Sequence, residues 1–430
     1  MAEAPAAMRA VLEAPGVKGQ EVLRLPCDAA NVKDAVTGLV RRIITTGDPP
    51  VTSAFNMLDL GKVAELFAAW RRGLKGVPPY YAVKCNSNPA LLGALAALGS
   101  RFDCASPAEM DAVLALGVTA DRIIYANPCK PESHIAYAAS VGVGVATFDS
   151  VEELRKMKRF HPGCKLLLRL KVPNAGDAAR WDLGLKYGAL EEEVAPLLRA
   201  AQSAGLAVWG VAFHVGSEVS RVGVYDAAVQ AARTAFDAAA ALGMPPMHVL
   251  DIGGGFAAAS FEDACAVINA ALARHFGDMP DVEVIGEPGR YFAETPFALA
   301  ARVFGKRARG EVREYWIDDG FYGTLCCVQH GYVPRPVPVA AACHSADQRG
   351  GETRHLSTVF GPTCDSLDLV VQGYPLPELG IGDWLVFHDV GAYTTELSCN
   401  FNGFSASEMK TYLAYWIRDT DLNKPLLWQH

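Results

Sequence analysis

Lys84 closes the run YYAVKCN, which places its amine at the C-terminal end of an expected buried strand. A lysine with an apolar stem and no carboxylate near it in sequence is expected to lose basicity on burial, which suits it to forming an imine with an aldehyde. Taken alone, it equally reads as a lysine reaching into solvent. LDIGGGF sets Gly253, Gly254 and Gly255 between an expected strand and helix, where consecutive amides can wrap a phosphate, although three glycines also make an ordinary tight turn. IGEPGRYF brings the carboxylate of Glu287, then Gly289, then the guanidinium of Arg290; singly, that is the pattern of a surface ion pair. His214 and Ser217, in AFHVGSEV, end another expected strand. With no second His at i+4 and no HExxH, His214 reads as packing on a flat aromatic group or as a satisfied core residue, and no metal is expected.

The four groups mean more together than apart. An imine-forming lysine, a phosphate cradle, an arginine for that phosphate and a carboxylate able to hold a pyridinium proton are what pyridoxal 5'-phosphate requires. Elsewhere, FGPTCDSLD puts Cys364 beside Asp365 in a Gly-Pro turn, read either as a buried structural cysteine or as a thiol held at a loop for proton transfer.

Such groups need elements that bring them to one place. Eight short apolar runs, at 80–85, 101–105, 122–126, 143–148, 165–171, 208–215, 248–252 and 282–285, alternate with Ala/Leu-rich stretches that open on Pro, Ser or an acid and often close on Gly. Strands too apolar to have a wet face, alternating with helices, imply a closed parallel sheet: a TIM-type (β/α)8 barrel over 50–295, with a doubly wound open sheet as the rival. The barrel is favoured because Lys84, Asp103, Asn127, Asp149, Arg169, His214, the glycines and Glu287 with Arg290 all fall at strand C-terminal ends, which a barrel gathers at one mouth. After residue 295 short runs between Gly, Pro and Asp turns predict a second, mostly antiparallel β domain over 20–49 and 296–430. Residues 1–19 are expected to be disordered, and the Pro-rich stretch 333–355 is expected to be a long loop.

Composition narrows the partners. With 430 residues, 51% of them hydrophobic, a net charge of −8, and no apolar run long enough to span a bilayer, the chain is expected to be a soluble protein that binds neither membrane nor nucleic acid. Eleven cysteines without any C-x-x-C suit reduced thiols in the cytoplasm.

In order along the chain, YYAVKCN, RFDCASPAEM, IIYANPCK, TFDSVEEL, FHVGSE, LDIGGGF, GEPGRY, IDDGFYG, FGPTCDSLD and GAYTTELSCNFNGF resemble the successive motifs of the ornithine decarboxylase family, barrel-plus-β-domain pyridoxal phosphate enzymes related in fold to alanine racemase. The resemblance implies that Lys84 carries the cofactor, Glu287 bonds the pyridine nitrogen and His214 stacks on the ring. Ser217, Gly253 to Gly255, Gly289, Arg290 and Tyr393 would hold the phosphate, with Asp103, Glu109 and Arg169 as a polar shell. Cys364 would protonate Cα in the barrel of a second subunit, making a homodimer with shared sites, bridged by Lys186 and Asp368. Asp365, His330, Gly331, Glu396 and Phe401 would face the substrate side chain. One departure stands out: Gly331 occupies the place of an aspartate that helps hold the distal ammonium of ornithine. Glu396, where the family has a small apolar residue, is a candidate substitute. Ornithine, lysine or an uncharged amino acid are therefore all open as substrates, and an inactive binding protein of the antizyme-inhibitor kind, or a racemase, are the rival functions.

Overall fold

The computed structural model describes residues 6–25, 31–173, 176, 178–181, 183–340, 353–406 and 409–415. It divides into two compact units, one containing Ala10–Val17 and Glu65–Phe292, the other Lys18–Ala64 and the chain from Ala293 onward.

The first unit is a parallel barrel of eight strands: Tyr80–Ala82, Arg101–Cys104, Ile123–Tyr125, Val145–Phe148, Lys165–Leu170, Ala207–Phe213, Val249–Asp251 and Glu283–Ile285. Each pairs with the next, and the ring is drawn shut where Tyr80 N–H donates to Gly286 O at 2.7 Å and Ala82 N–H to Pro288 O at 3.1 Å. All eight expected strands are found, and the (β/α)8 reading holds against the open sheet. Side chains of the helices Pro89–Leu98, Pro107–Leu114 and Val151–Phe160 are started by Asn88, Ser106 and Ser150, each of which accepts a first-turn N–H.

Tyr80, Ile124, Leu167, Ala212, Val249 and Ile285 form one apolar layer inside the barrel. Strand side chains alternate with period two, so the next inward position toward the C-terminal mouth is two residues on. From four of these six strands that step gives Arg169, His214, Asp251 and Glu287, from the other two Ala82 and Ala126, and Asp103 and Thr147 stand near the ends of the two remaining strands. A polar layer thus rests on an apolar floor.

The second unit is a sheet in the order Val22–Arg24, Thr411–Tyr415, Phe55–Asp59, Phe297–Arg309, Val312–Ile317, Arg354–Phe360, Leu369–Pro377, with Trp384–His388 pairing Phe297–Arg309 and Val337–Val339. Five of its eight pairings are antiparallel. The helix Val32–Thr46 lays Ala35, Val36, Leu39, Val40 and Ile43 against this sheet, a spacing that keeps one face apolar.

Three expectations change. Residues 50–64 were assigned to the barrel, but Phe55–Asp59 is fully buried between Thr411–Tyr415 and Phe297–Arg309 in the other sheet. Residues 1–19 were expected to be disordered; Ala6–Leu12 is a helix, Val11, Ala14 and Val17 are buried, and the segment packs so closely that a Cβ on Gly93 would stand 1.8 Å from Pro15 O. In the 333–355 stretch, Val337–Val339 is a strand, while 341–352 lies outside the described residues.

Candidate active site

Lys84 is not on the first barrel strand itself but on the single 3-10 turn Val83–Cys85 that follows it. Three residues leave no periodic trace, which is why the run reads as one strand. Lys84 Nζ is ion-paired with Asp103, whose side chain is 1% exposed against 40% for Lys84. The isolated, apolar-stemmed ammonium expected from the sequence is therefore corrected to a half-buried ion pair, because the next strand brings a carboxylate that is remote in sequence. Gly289 allows the loop after the eighth strand to lie on the same turn, since a Cβ there would meet Cys85 Cβ at 3.0 Å.

The polar layer is short of donors. Asp103 Oδ1, Asp251 Oδ2 and Glu287 Oε1 are buried with no hydrogen-bond partner among the described residues. Burial pushes Asp251 up to about 7, against a lowering by the Gly253 N–H that donates to its Oδ1 at 2.8 Å. Burial, then the neighbouring Asp251 and Asp103, push Glu287 well above the ordinary carboxyl range. A group of buried carboxyls in this condition fits a cation or a charged N–H donor, which a pyridinium nitrogen supplies. Arg169 is buried in the same layer.

His214 is held well below its ordinary range by burial, then by Arg169 and Lys84. It is thus neutral, and since Gly216 N–H donates to Nδ1 at 3.0 Å, the ring proton is on Nε2. A Cβ on Gly254 would stand 2.7 Å from that Nε2, so the ring lies directly against the glycine loop. Gly253 at φ +62° and Gly255 at φ +96° occupy the left-handed region, and a Cβ on Gly253 would come within 2.1 Å of Phe213 O. The glycines are required by this close approach as well as by the turn. Tyr225 Oη donates to Gly254 O at 2.9 Å, tying the loop to the helix Val224–Ala241. Ser217 begins a short strand, Ser217–Val219, and Arg290 opens the turn of helix Arg290–Ala293. The structure therefore brings Lys84, Asp103, Arg169, His214, Gly253 to Gly255, Glu287, Gly289 and Arg290 to one end of the barrel. Glu109 is engaged locally, accepting Ala105 N–H at 2.7 Å at the start of its helix.

The remaining expected residues lie in the sheet unit. Cys364 is exposed, and its N–H donates to Asn402 Oδ1 at 2.9 Å. Asp365 accepts from Tyr322 Oη, which holds its carboxyl below the ordinary range, and the Tyr322 ring lies 4.7 Å from that of Phe401. Cys364, Asp365 and Phe401 are thus gathered by one set of contacts. Gly331 caps the 3-10 run Thr324–His330 at φ +90°, Glu396 is exposed on the turn Thr395–Leu397, and Tyr393 adopts φ +56°. The His330 side chain lies outside the described residues. Asp368 differs from expectation: it is buried, and its carboxylate accepts from Phe321 N–H, Thr363 N–H and Thr363 Oγ1 at 2.7, 2.9 and 2.7 Å. These three bonds shape the Cys364 turn. Sequence reading passed over Asp251, Tyr225 and Glu218. Counting two residues on from the apolar layer finds Asp251; nothing in the sequence marks the other two.

Comparison with known proteins accounts for this geometry. Residues 60–294 match the family model described as the pyridoxal-binding domain of pyridoxal-dependent decarboxylases, and 224–391 match the C-terminal sheet domain of the same enzymes. The chain is 49% identical over 386 residues to the chloroplastic ornithine decarboxylase of Nicotiana glutinosa, covering 89% of each, and 39% identical over 392 residues to antizyme inhibitor 2 of Xenopus laevis, covering 87% of this chain and 84% of that one. The crystal structure of the arginine decarboxylase of Paramecium bursaria Chlorella virus superposes with a TM-score of 0.81 at 36% identity, over 88% of this chain and all of the other. A glycine-lined barrel mouth with unsatisfied buried carboxylates, and a match over more than half of its length, place the chain among the pyridoxal phosphate-dependent decarboxylases of basic amino acids.

Proposed function

We propose that the chain decarboxylates an L-amino acid with a cationic side chain, ornithine in the first instance, to the amine and carbon dioxide. The observation that carries this reading is the set of partnerless buried carboxylate oxygens of Asp103, Asp251 and Glu287 beside Lys84. The cofactor, when bound, supplies the electron sink that makes loss of the carboxylate tolerable. Glu287 keeps the pyridine nitrogen protonated, Lys84 holds the cofactor covalently, and neutral His214 offers a ring face without adding charge. Ser217, the Gly253 to Gly255 amides, Arg290 and Tyr393 hold the phosphate, and Asp103 and Arg169 complete the polar shell. Cys364 of a second copy gives its proton to Cα, within a homodimer.

Side-chain recognition falls to Asp365, already oriented by Tyr322, whose ring packs on Phe401, with Glu396 as the candidate second carboxylate. Gly331 cannot supply a second carboxylate, and losing one charge-assisted partner in a desolvated pocket is worth about 1.5–3 kcal/mol. Ornithine is therefore expected to show a raised KM. A panel of ornithine, lysine, arginine and uncharged amino acids assayed for carbon dioxide tests the class. Gly331→Asp against Gly331→Asn tests the anchor, since both place a side chain at φ +90° and differ in charge alone. A micromolar KM for ornithine in the unmutated chain, or equal KM in the two variants, overturns the assignment of Gly331. In Lys84→Ala the visible-edge absorbance of covalently held cofactor should vanish. Cofactor held normally with no carbon dioxide from any amino acid would instead mark a binding protein, the reading that the antizyme inhibitor 2 match makes worth testing.

A further inference from the structure

Glu218 is a residue that nothing in the reaction calls for, in contact with Arg290 and next to Ser217. It follows Ser217 directly and adopts φ +55°, a conformation that ordinary side chains avoid and that glycine or asparagine would fill without strain. Its carboxylate lies 3.3 Å from Arg290 Nη2 and 3.7 Å from Arg180 Nη1. Arg180 comes from Ala179–Trp181, which pairs antiparallel with Ser217–Val219 through Ser217 opposite Trp181 and Val219 opposite Ala179, so Glu218 and Arg180 sit at matching positions of one small ribbon. Gly216 fixes that ribbon, because a Cβ there would stand 2.5 Å from Trp181 O. The result is a row of three charges, Arg180, Glu218, Arg290, with the anion in the middle. Strain held at such a point indicates a group kept for what it does.

We propose that Glu218 limits how tightly the phosphate of the cofactor is held. This rests on the reading that Arg290 is a phosphate ligand. A carboxylate in contact with that guanidinium takes up part of its charge and sets a like charge beside a phosphate dianion, so the row offers the phosphate one net positive charge rather than two. Arg180 is the reserve: once the carboxylate is neutralised, its guanidinium adds to the attraction. The site is built for a cofactor that exchanges, with affinity set by this carboxylate as well as by the glycine cradle.

The test compares Glu218→Gln and Arg290→Ala with the unmutated holoenzyme. Cofactor release is followed by its absorbance during exchange into cofactor-free buffer, and inorganic phosphate is titrated against the thermal midpoint of the cofactor-free protein. Removing one like charge a few ångströms from a dianion at an effective dielectric near 20 is worth about tenfold or more in affinity. Glu218→Gln is thus expected to release cofactor about tenfold more slowly and to be stabilised by phosphate at about tenfold lower concentration. The gain should shrink at high salt, since the pair is partly exposed, and should be lost in the Glu218→Gln, Arg180→Ala double variant. Release that is unchanged or faster in Glu218→Gln, while Arg290→Ala releases faster than the unmutated protein, overturns the proposal and makes Glu218 a support for Arg290. If Arg290→Ala retains cofactor as well as the unmutated protein does, the phosphate reading of Arg290 fails and this proposal with it. Glu218→Gly, which also removes the strain at φ +55°, repeats the comparison should the glutamine variant fold poorly.

Discussion

Asp251 and Glu287 make the barrel mouth sensitive to proton concentration before any chemistry occurs. Both are raised by burial, Asp251 to about 7 and Glu287 well above the ordinary carboxyl range; Asp251 adds to the rise of Glu287, whereas Glu287 works against that of Asp251. A carboxyl raised on folding is still protonated in the folded chain at pH values where the unfolded chain has released its proton, so stability falls as pH rises from about 4 through the folded value. His214, lowered on folding, runs the other way: the folded chain binds fewer protons there, and its contribution favours stability as pH rises. Comparing variants isolates one sign from the other. In cofactor-free protein, the unfolding free energy of the unmutated chain relative to Asp251→Asn should fall by on the order of 2–4 kcal/mol between pH 4 and pH 7.5, because His214 is common to both. Urea melts at a series of pH values measure this, and parallel curves would refute it. Bound cofactor should flatten the difference, since on the proposed reading its pyridinium would face the charged pair. At this scale Lys84, His214, Glu287 and Arg290 were legible, as polar residues ending apolar runs. Asp251 was hidden in LDIGGGF, where the glycines carry the visible signal, and the ion pair of Lys84 with Asp103 is a contact that only strand adjacency creates.

The loops after the third and fourth barrel strands are locked by a buried pair of charges, Lys130 and Glu153. Lys130 Nζ is fully buried, donates to Asn127 O at 3.0 Å and Thr147 O at 2.7 Å, and is ion-paired with Glu153 Oε1 at 2.8 Å, while Lys156 approaches the other oxygen of Glu153 at 2.6 Å. Two carbonyls accept from Lys130 and a carboxylate lies beside it, which is the condition under which a buried lysine can stay charged although burial lowers its basicity. Removing Lys130 leaves the buried Glu153 only the partly exposed Lys156 as an ionic partner, and removing Glu153 leaves a buried ammonium without its carboxylate. Lys130→Ala is therefore expected to cost about 3–5 kcal/mol, whereas Arg155→Ala, which breaks the exposed pair with Glu152, should cost under about 1 kcal/mol. The pair Lys130→Met with Glu153→Leu should cost clearly less than the sum of the two single changes. Denaturant midpoints of the four proteins decide it, and additive losses would show that Lys130 and Glu153 do not act as a unit. The elements themselves were legible because eight apolar runs with capped helices between them repeat one pattern. The Lys130 cluster was not, for a lysine in a Pro-rich loop reads as solvated until the fold tucks that loop beneath a helix. The same blindness hid the 3-10 turn under Lys84 and the short helix Ala6–Leu12, both too brief to show a period.

The residues assigned to one reaction belong to two compact units, with Lys84, His214 and Glu287 in the barrel and Cys364, Asp365, Tyr393 and Phe401 in the sheet unit. If Cys364 of one copy serves the barrel of another, a closed dimer has two sites, each built from both chains. The sheet unit carries large apolar side chains exposed on the turns around Cys364, among them Leu367, Leu397, Phe401 and Phe404, the kind of surface that a second copy would cover. Mixing then discriminates. Lys84→Ala chains and Cys364→Ala chains should each be nearly inactive alone. Co-refolded in equal amounts, half of the dimers pair one of each, and in those one site has lost both groups while the other keeps both. About one quarter of all sites are then intact, so activity should recover to about a quarter of the unmutated level. A proton donor that acted within its own chain would give no recovery, since every chain in the mixture lacks one of the two groups. The recovered fraction should also release cofactor at the unmutated rate, because the barrel of an intact site keeps Lys84, Arg290 and Glu218. No recovery in a mixture whose mixed dimers are demonstrated by differential tagging would place Cys364 and Lys84 in the same chain's site, or remove Cys364 from the reaction.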